Sequence, residues 1–204
     1  MKYAINHEYV SIGSQSATHR IILLHGWGAD ADDLLPIGEA IVKDIKFDFE
    51  IISIRAPYLV PESNGRQWYG LYPPQWREAD EEVKKLIQTI KEFDNNISLQ
   101  NSVLLGFSQG AAMSVAVGSY LKFGLIISCS GYPHPNWDPE KISSNIIFSH
   151  GTQDNIVPIE ASREMFLETN KIVNGKSEIK EFAGGHQINS ELINIFNLRL
   201  KDVF

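Results

Sequence analysis

An α/β fold with a mostly parallel sheet is predicted by three features of the sequence. Short apolar runs recur along the chain, the stretches between them carry helical periodicity, and most of the runs do not alternate apolar with polar residues. Runs that are apolar throughout suit strands covered on both faces. Strand–helix alternation then sets those strands side by side in an α/β arrangement. With 204 residues, the chain fits one domain spanning 1–204. A domain of this size buries roughly 70% of the surface its unfolded chain exposes and needs no disulfide or metal to fold.

The strand candidates are 20–24, 50–54, 102–105, 125–128, 145–148 and 178–182, rich in Ile, Val, Leu or Phe. The last, Glu178-Ile179-Lys180-Glu181-Phe182, does alternate, which suits a sheet edge. Four stripes mark helices. Val83, Leu86, Ile87, Ile90 and Phe93 share one face; Ala111, Ala112, Val115, Ala116 and Ser119 form a small-residue stripe. Ala161, Met165, Glu168 and Ile172 form a weaker one, and Ile188, Leu192, Ile195, Phe196, Leu200 and Val203 a clear final one. These stripes are read as core packing. Asn174-Gly175 marks a helix end before the last strand.

Residues 55–77 break this rhythm and read as neither helix nor strand. They hold Pro57, Pro61, Pro73 and Pro74, together with Trp68, Tyr69, Leu71, Tyr72 and Trp76. A loop this long in a compact domain is functional or disordered, and its aromatic content speaks against disorder.

Composition narrows the function. Eighteen Lys+Arg against 25 Asp+Glu give a net charge of −7, which speaks against nucleic acid and against an anionic membrane surface. The lone cysteine, Cys129, allows no internal disulfide framework and no Cys-based zinc cluster. The N-terminus lacks the apolar segment of a signal peptide, and no apolar run approaches the ~20 residues of a membrane-spanning helix. The expectation is a cytoplasmic protein with no integral membrane association. The oligomeric state is not legible.

The sharpest chemical signal is Gly106-Phe107-Ser108-Gln109-Gly110, which follows a strand and opens a helix. A serine at the tip of such a turn is held in a strained backbone conformation. The residues two positions either side approach each other and must be small. The helix behind it points its N-terminal amides and positive dipole end at the site. A serine hydroxyl is a weak nucleophile and needs a base, and the base an orienting carboxylate. On this scaffold the order is serine, acid, histidine.

Three histidines follow Ser108. His186, after Gly184-Gly185, lies at a loop tip beyond the last strand, where α/β sheets place their ligands. His150 is read as a buried turn residue hydrogen-bonded to backbone, and His134, in Tyr132-Pro133-His134-Pro135, as exposed. For the acid, Asp154 in His150-Gly151-Thr152-Gln153-Asp154 is favoured over Asp138, which reads as a helix cap or turn. The backbone N–H of Gln109 is one oxyanion donor. The loop Leu24-His25-Gly26-Trp27-Gly28 supplies the other from the N–H of Trp27. His25 is read as structural. Trp68, Tyr69, Leu71 and Tyr72 are the candidate substrate-binding residues, lining an open, shallow cleft, and Trp76 is read as structural. Nothing else supplies a ligand cluster, so no metal and no organic cofactor are expected.

These pieces together resemble the α/β-hydrolase fold. More narrowly, they are similar to the small carboxylesterase/phospholipase family that includes the acyl-protein thioesterases. The resemblance runs from about residue 20 to the C-terminus. Besides the motifs already quoted it rests on Arg55-Ala56-Pro57, Trp68-Tyr69-Gly70-Leu71, Val157-Pro158 and Gly185-His186. It implies a mostly parallel central sheet flanked by helices with no large cap domain, a Ser108–Asp154–His186 triad and an oxyanion hole at Trp27 and Gln109. The implied reaction is hydrolysis of a small-molecule or acyl-chain ester or thioester through an acyl-enzyme. Three rivals stand beside it: Cys129 as nucleophile, a non-catalytic binding protein on the same fold, and a peptidase or lactonase. The thioesterases usually carry leucine where this chain has Trp27, and commonly an acidic residue where Gly70 stands.

Overall fold

The computed structural model describes residues 1–14, 16–94, 96–172 and 177–204. Ten strands and five α-helices are found among them. In chain order they are β1 (Lys2–Tyr3), β2 (Glu8–Gly13), β3 (His19–Leu24), α1 (Leu35–Val42), β4 (Phe49–Ile54), β5 (Tyr58–Leu59), β6 (Arg66–Gln67) and α2 (Trp76–Phe93). After them come β7 (Ser102–Phe107), α3 (Gln109–Gly118), β8 (Leu125–Cys129), β9 (Asn145–Gly151), α4 (Ile159–Ile172), β10 (Ser177–Phe182) and α5 (Ser190–Val203).

All six predicted strands form, extended by a few residues, and they are mutually parallel in the order β4-β3-β7-β8-β9-β10. The sheet has eight strands because β2 adds antiparallel to β4, and β1 antiparallel to β2. Sequence reading missed these two. Glu8-Tyr9-Val10-Ser11-Ile12-Gly13 mixes polar and apolar residues and stays half-exposed near the sheet margin, so it lacks the apolar run that marks a buried strand. At the opposite edge, β10 is half-buried along most of its length. Arg163 and Arg199 pair with its Glu181 and Glu178 at 2.7 and 2.6 Å. Charges along an exposed edge discourage pairing with another chain.

Consecutive strand residues face opposite sides, and two cores result. Ile22, Leu24, Ile52, Ile54 and Leu104 pack with α2, α3 and Met165 of α4. Ile21, Leu23, Ile51, Val103 and Leu105 pack with Ile41 of α1 and with Leu192, Phe196 and Leu200 of α5. Helix α1 had no place among the predicted stripes. It is only eight residues long, starting at Leu35-Pro36, too short to show a full apolar stripe. The Asn174-Gly175 helix end lies outside the described residues.

Residues 55–77, read as neither helix nor strand, do hold regular elements. Tyr58 pairs with Gln67 and Leu59 with Arg66 in a short antiparallel hairpin, and α2 begins at Trp76.

Candidate active site

The parallel strands all end on the same side of the sheet, and the chemistry gathers there. Ser108 follows β7 and caps α3 with φ 55° and ψ −117°, a conformation that costs on the order of 1–3 kcal/mol and persists only when its surroundings enforce it. Its N–H donates to the Cys129 carbonyl at 2.9 Å, and its own carbonyl accepts from Ala111 and Ala112 at 3.0 and 3.1 Å. The flanking glycines have a steric cause. A Cβ on Gly106 would lie 2.2 Å from the Gly110 carbonyl oxygen, and one on Gly110 would lie 2.0 Å from that of Leu24.

The loop after β9 carries Asp154, whose side chain is fully buried. Its Oδ1 accepts from the N–H groups of Ile156 and Val157, both at 2.9 Å. Its Oδ2 accepts from His186 Nδ1 at 2.7 Å. Burial alone would raise the carboxyl's pKa, but the bonds from Val157, His186 and Ile156 outweigh it and hold it below its ordinary value. A carboxylate can only accept, so Nδ1 of His186 carries the proton and Nε2 is left with its lone pair. The imidazole rests against the Phe107 ring with centroids 4.8 Å apart. Ser108 and His186 border one cleft of about 550 Å³, together with Gly26, Trp27, Phe107 and Tyr132.

The two residues whose N–H groups the sequence reading offers as oxyanion donors lie next to this rim in the chain, Gln109 directly after Ser108 and Trp27 directly after Gly26. Gln109 is the first residue of α3, and the first amides of a helix have no partner within it. Trp27 lies in the loop after β3. Among the described residues neither the Gln109 nor the Trp27 amide finds an acceptor. The Trp27 loop is pinned from two directions. Arg55 grips Asp30 through Nε and Nη2 at 2.9 and 2.7 Å and reaches Glu8 through Nη1 at 2.8 Å. The hairpin joins it by backbone, Gly28 N–H donating to Arg66 and Arg66 N–H to Ala29, both at 2.8 Å. A Cβ on Gly65 would sit 2.1 Å from the Gly28 oxygen, so this contact needs a glycine.

A profile of the phospholipase/carboxylesterase family matches residues 5–201. The chain belongs to that family. Acyl-protein thioesterase 1 of Kluyveromyces lactis is 29% identical over 178 residues, covering 76% of this chain and 78% of the relative. Its Saccharomyces cerevisiae namesake is 29% identical over 174 residues, covering 71% and 74%. Among solved structures, esterase PE8 superposes with a TM-score of 0.85 at 22% identity, covering 98% of this chain and all of the other. A Bacillus cereus carboxylesterase gives 0.80 at 16%, covering 98% and 96%. At these identities the structures share the α/β-hydrolase fold. Family membership makes this protein an esterase- or thioesterase-type hydrolase.

Of the substrate-binding residues expected in this hydrolase, Leu71 and Tyr72 do border the cleft. Trp68 and Tyr69 do not, and this corrects the sequence reading. Both are fully buried. Trp68 donates from Nε1 to the His25 carbonyl at 2.8 Å, and Tyr69 OH lies 2.8 Å from Tyr132 OH. Their backbone is clamped by the Gln109 side chain, which accepts from Trp68 N–H at 3.0 Å and donates to the Tyr69 carbonyl at 2.8 Å. The two aromatics are ballast that fixes the loop, while their neighbours Leu71 and Tyr72 border the cleft. Trp76 is about half exposed at the start of α2.

His134 also departs from expectation. It is buried, not exposed: Nδ1 accepts from Asn136 N–H at 3.1 Å and the ring meets Tyr69 edge-on at 5.4 Å. His150 and His25 are both buried, and His150 Nε2 also lies 3.2 Å from Asp154 Oδ2. His150 donates from Nε2 to the Val157 carbonyl at 2.8 Å and lies on β9 rather than in a turn. His25 donates to Gly26 and accepts from the Ala56 N–H at 3.1 Å, and burial lowers its pKa. Asp138 caps a short 3₁₀ turn, the lesser role foreseen for it. Tyr132, Ile156, Val157 and Pro158 border the cleft unforeseen; their places just beyond the ends of β8 and β9 were the available signal. No group of three His, Cys, Asp or Glu side chains suited to a metal occurs among the described residues, and no described helix is long and apolar enough to cross a membrane.

Proposed function

We propose that this hydrolase cleaves carboxylic esters or thioesters by two-step acyl transfer, with Ser108 as nucleophile, His186 as base and Asp154 as the group that orients it. The observation carrying this reading is the 2.7 Å bond from His186 Nδ1 to Asp154 Oδ2, at a cleft that the strained Ser108 also borders. Nε2 of His186 removes the Ser108 proton as Oγ attacks the substrate carbonyl carbon. The oxyanion that forms accepts from the N–H groups of Trp27 and Gln109, for which no acceptor competes among the described residues. His186 passes the proton to the departing alcohol or thiol and leaves an acyl-serine. Water, deprotonated by His186, then releases the acid and restores Ser108.

The thioesterase relatives favour thioesters among the substrates to try. Cys129 does not suit the nucleophile's role: it is buried, and burial pushes its thiol up to about 12. A single cysteine fits a reducing, cytoplasmic setting.

The test uses p-nitrophenyl butyrate and an alkyl thioester, with a fluorophosphonate probe to mark the nucleophile. Wild-type protein is expected to turn over and to be labelled, and Ser108→Ala to lose at least about 10³-fold in kcat and all labelling. Wild-type turnover in Ser108→Ala would end the proposal.

A further inference from the structure

A second groove lies behind the cleft wall. It holds about 540 Å³ and is bordered by Val60, Pro61, Gly70 and Glu78, and it shares Trp27, Leu71 and Tyr72 with the cleft of about 550 Å³. Those three side chains thus border both spaces, Trp27 and Tyr72 reaching out to solvent between them. The Trp27 indole is braced on both sides. Its Nε1 donates to Gln67 Oε1 at 2.9 Å, and Gln67 is itself buried and tied to the Leu59 carbonyl at 3.1 Å. Tyr72 meets the indole edge-on with centroids 6.1 Å apart.

Chemistry decides which part of a substrate meets this wall. The leaving group must take its proton from His186, so it departs on the His186 side of Ser108. The acyl substituent is left to point away from His186, and of the apolar side chains that border the cleft Trp27, Leu71 and Tyr72 are the ones that also border the second groove. We propose that Trp27, held by Gln67 and Tyr72, determines acyl-chain length: it ends the acyl side of the cleft so that short chains are preferred, and the groove beyond it is the space a longer chain enters once the indole is gone. This rests on the acyl-transfer reading above.

The experiment measures kcat/KM on p-nitrophenyl acetate, butyrate, octanoate and dodecanoate for the wild type, Trp27→Ala and Tyr72→Ala. While added methylenes find apolar surface, kcat/KM grows by roughly fourfold each. In the wild type this growth is expected to stop before dodecanoate. In Trp27→Ala the dodecanoate-to-butyrate ratio is expected to rise by about tenfold or more. Tyr72→Ala should move it the same way by less. A ratio taken within one variant cancels any uniform loss from a disturbed Trp27 amide, and Tyr72 is 85% exposed, so its truncation leaves the fold in place. Unchanged ratios in both variants, or a wild type that already prefers dodecanoate, overturn the proposal. A wild type that hydrolyses none of the esters and takes no fluorophosphonate label overturns the acyl-transfer reading instead.

Discussion

The turn 106–110 and the segment 55–77 border the same cleft, yet different forces hold them. At the turn the backbone is the determinant. Gly106 and Gly110 have no room for a Cβ, and Ser108 is forced to a positive φ by the strand on one side and α3 on the other. In the segment, side chains set the path. Gln109 clamps the Trp68–Tyr69 backbone, Trp68 reaches the His25 carbonyl, and Gln67 braces Trp27. A steric rule on backbone can be met by few residue types, so it leaves a fixed motif. A side-chain clamp can be built in many ways, so it leaves none. On the acyl-transfer reading, the constrained turn carries the reaction and the clamped segment chooses the substrate.

Breaking the rim should therefore cost reaction rate, and breaking the clamp should cost stability. The largest effect is expected for Asp154→Asn. The amide oxygen can still accept from Ile156 and Val157 N–H, so the loop keeps its shape, but the amide nitrogen facing His186 favours the wrong tautomer. A drop of about 10⁴-fold in kcat is expected, far larger in effect than the fall in urea midpoint from losing the carboxylate's bond to His186. Loss of stability in place of rate would place Asp154 among structural residues.

On the acyl-transfer reading Gln109 joins the two regions, because its N–H serves the oxyanion while its side chain forms the clamp. In Gln109→Leu the N–H of Trp68 and the carbonyl of Tyr69 lose their partners while buried, at about 1–3 kcal/mol each. Urea denaturation is expected to show a loss of about 4 kcal/mol. A loss below about 1 kcal/mol would mean that something else holds the segment.

The same contrast explains what could be read from sequence. Five of the six parallel strands were legible because burial on both faces demands continuous apolar runs, and the edge strand β10 by its alternation. Ser108, Asp154 and His186 were legible as candidates because each lies beyond a strand end in a fixed order. The antiparallel β2 was not, since a half-exposed strand near a sheet margin tolerates polar residues. Nor was the division of labour within Trp68-Tyr69-Gly70-Leu71-Tyr72. An aromatic that faces a cleft and one that faces the core have the same composition, and only the Gln109 clamp turns Trp68 and Tyr69 inward and leaves Leu71 and Tyr72 at the cleft. His134 misled for a related reason. Its prolines suggested a surface loop, but the neighbouring ring of Tyr69 covers it.

That covered histidine separates the two regions by pH. Burial lowers the His134 pKa to about 4 from an ordinary 6.5, so between those values the unfolded chain binds more protons than the folded one. Folding stability contributed by this group is present above about pH 6.5 and falls as the pH drops toward 4, by about 3 kcal/mol in all. Asp154 behaves differently, because its carboxyl is already held below its ordinary 3.8. Its contribution is intact above that value and is lost only in stronger acid. Mild acid should thus loosen the Tyr69 side of the cleft while the His186–Asp154 pair still holds. Urea midpoints at about pH 7 and about pH 4.5 are expected to differ markedly in the wild type. In His134→Asn, which keeps an acceptor for the Asn136 N–H but has nothing to protonate, they should draw closer together. An equal fall in both proteins would assign the acid sensitivity to other groups and remove the distinction between rim and segment on this count.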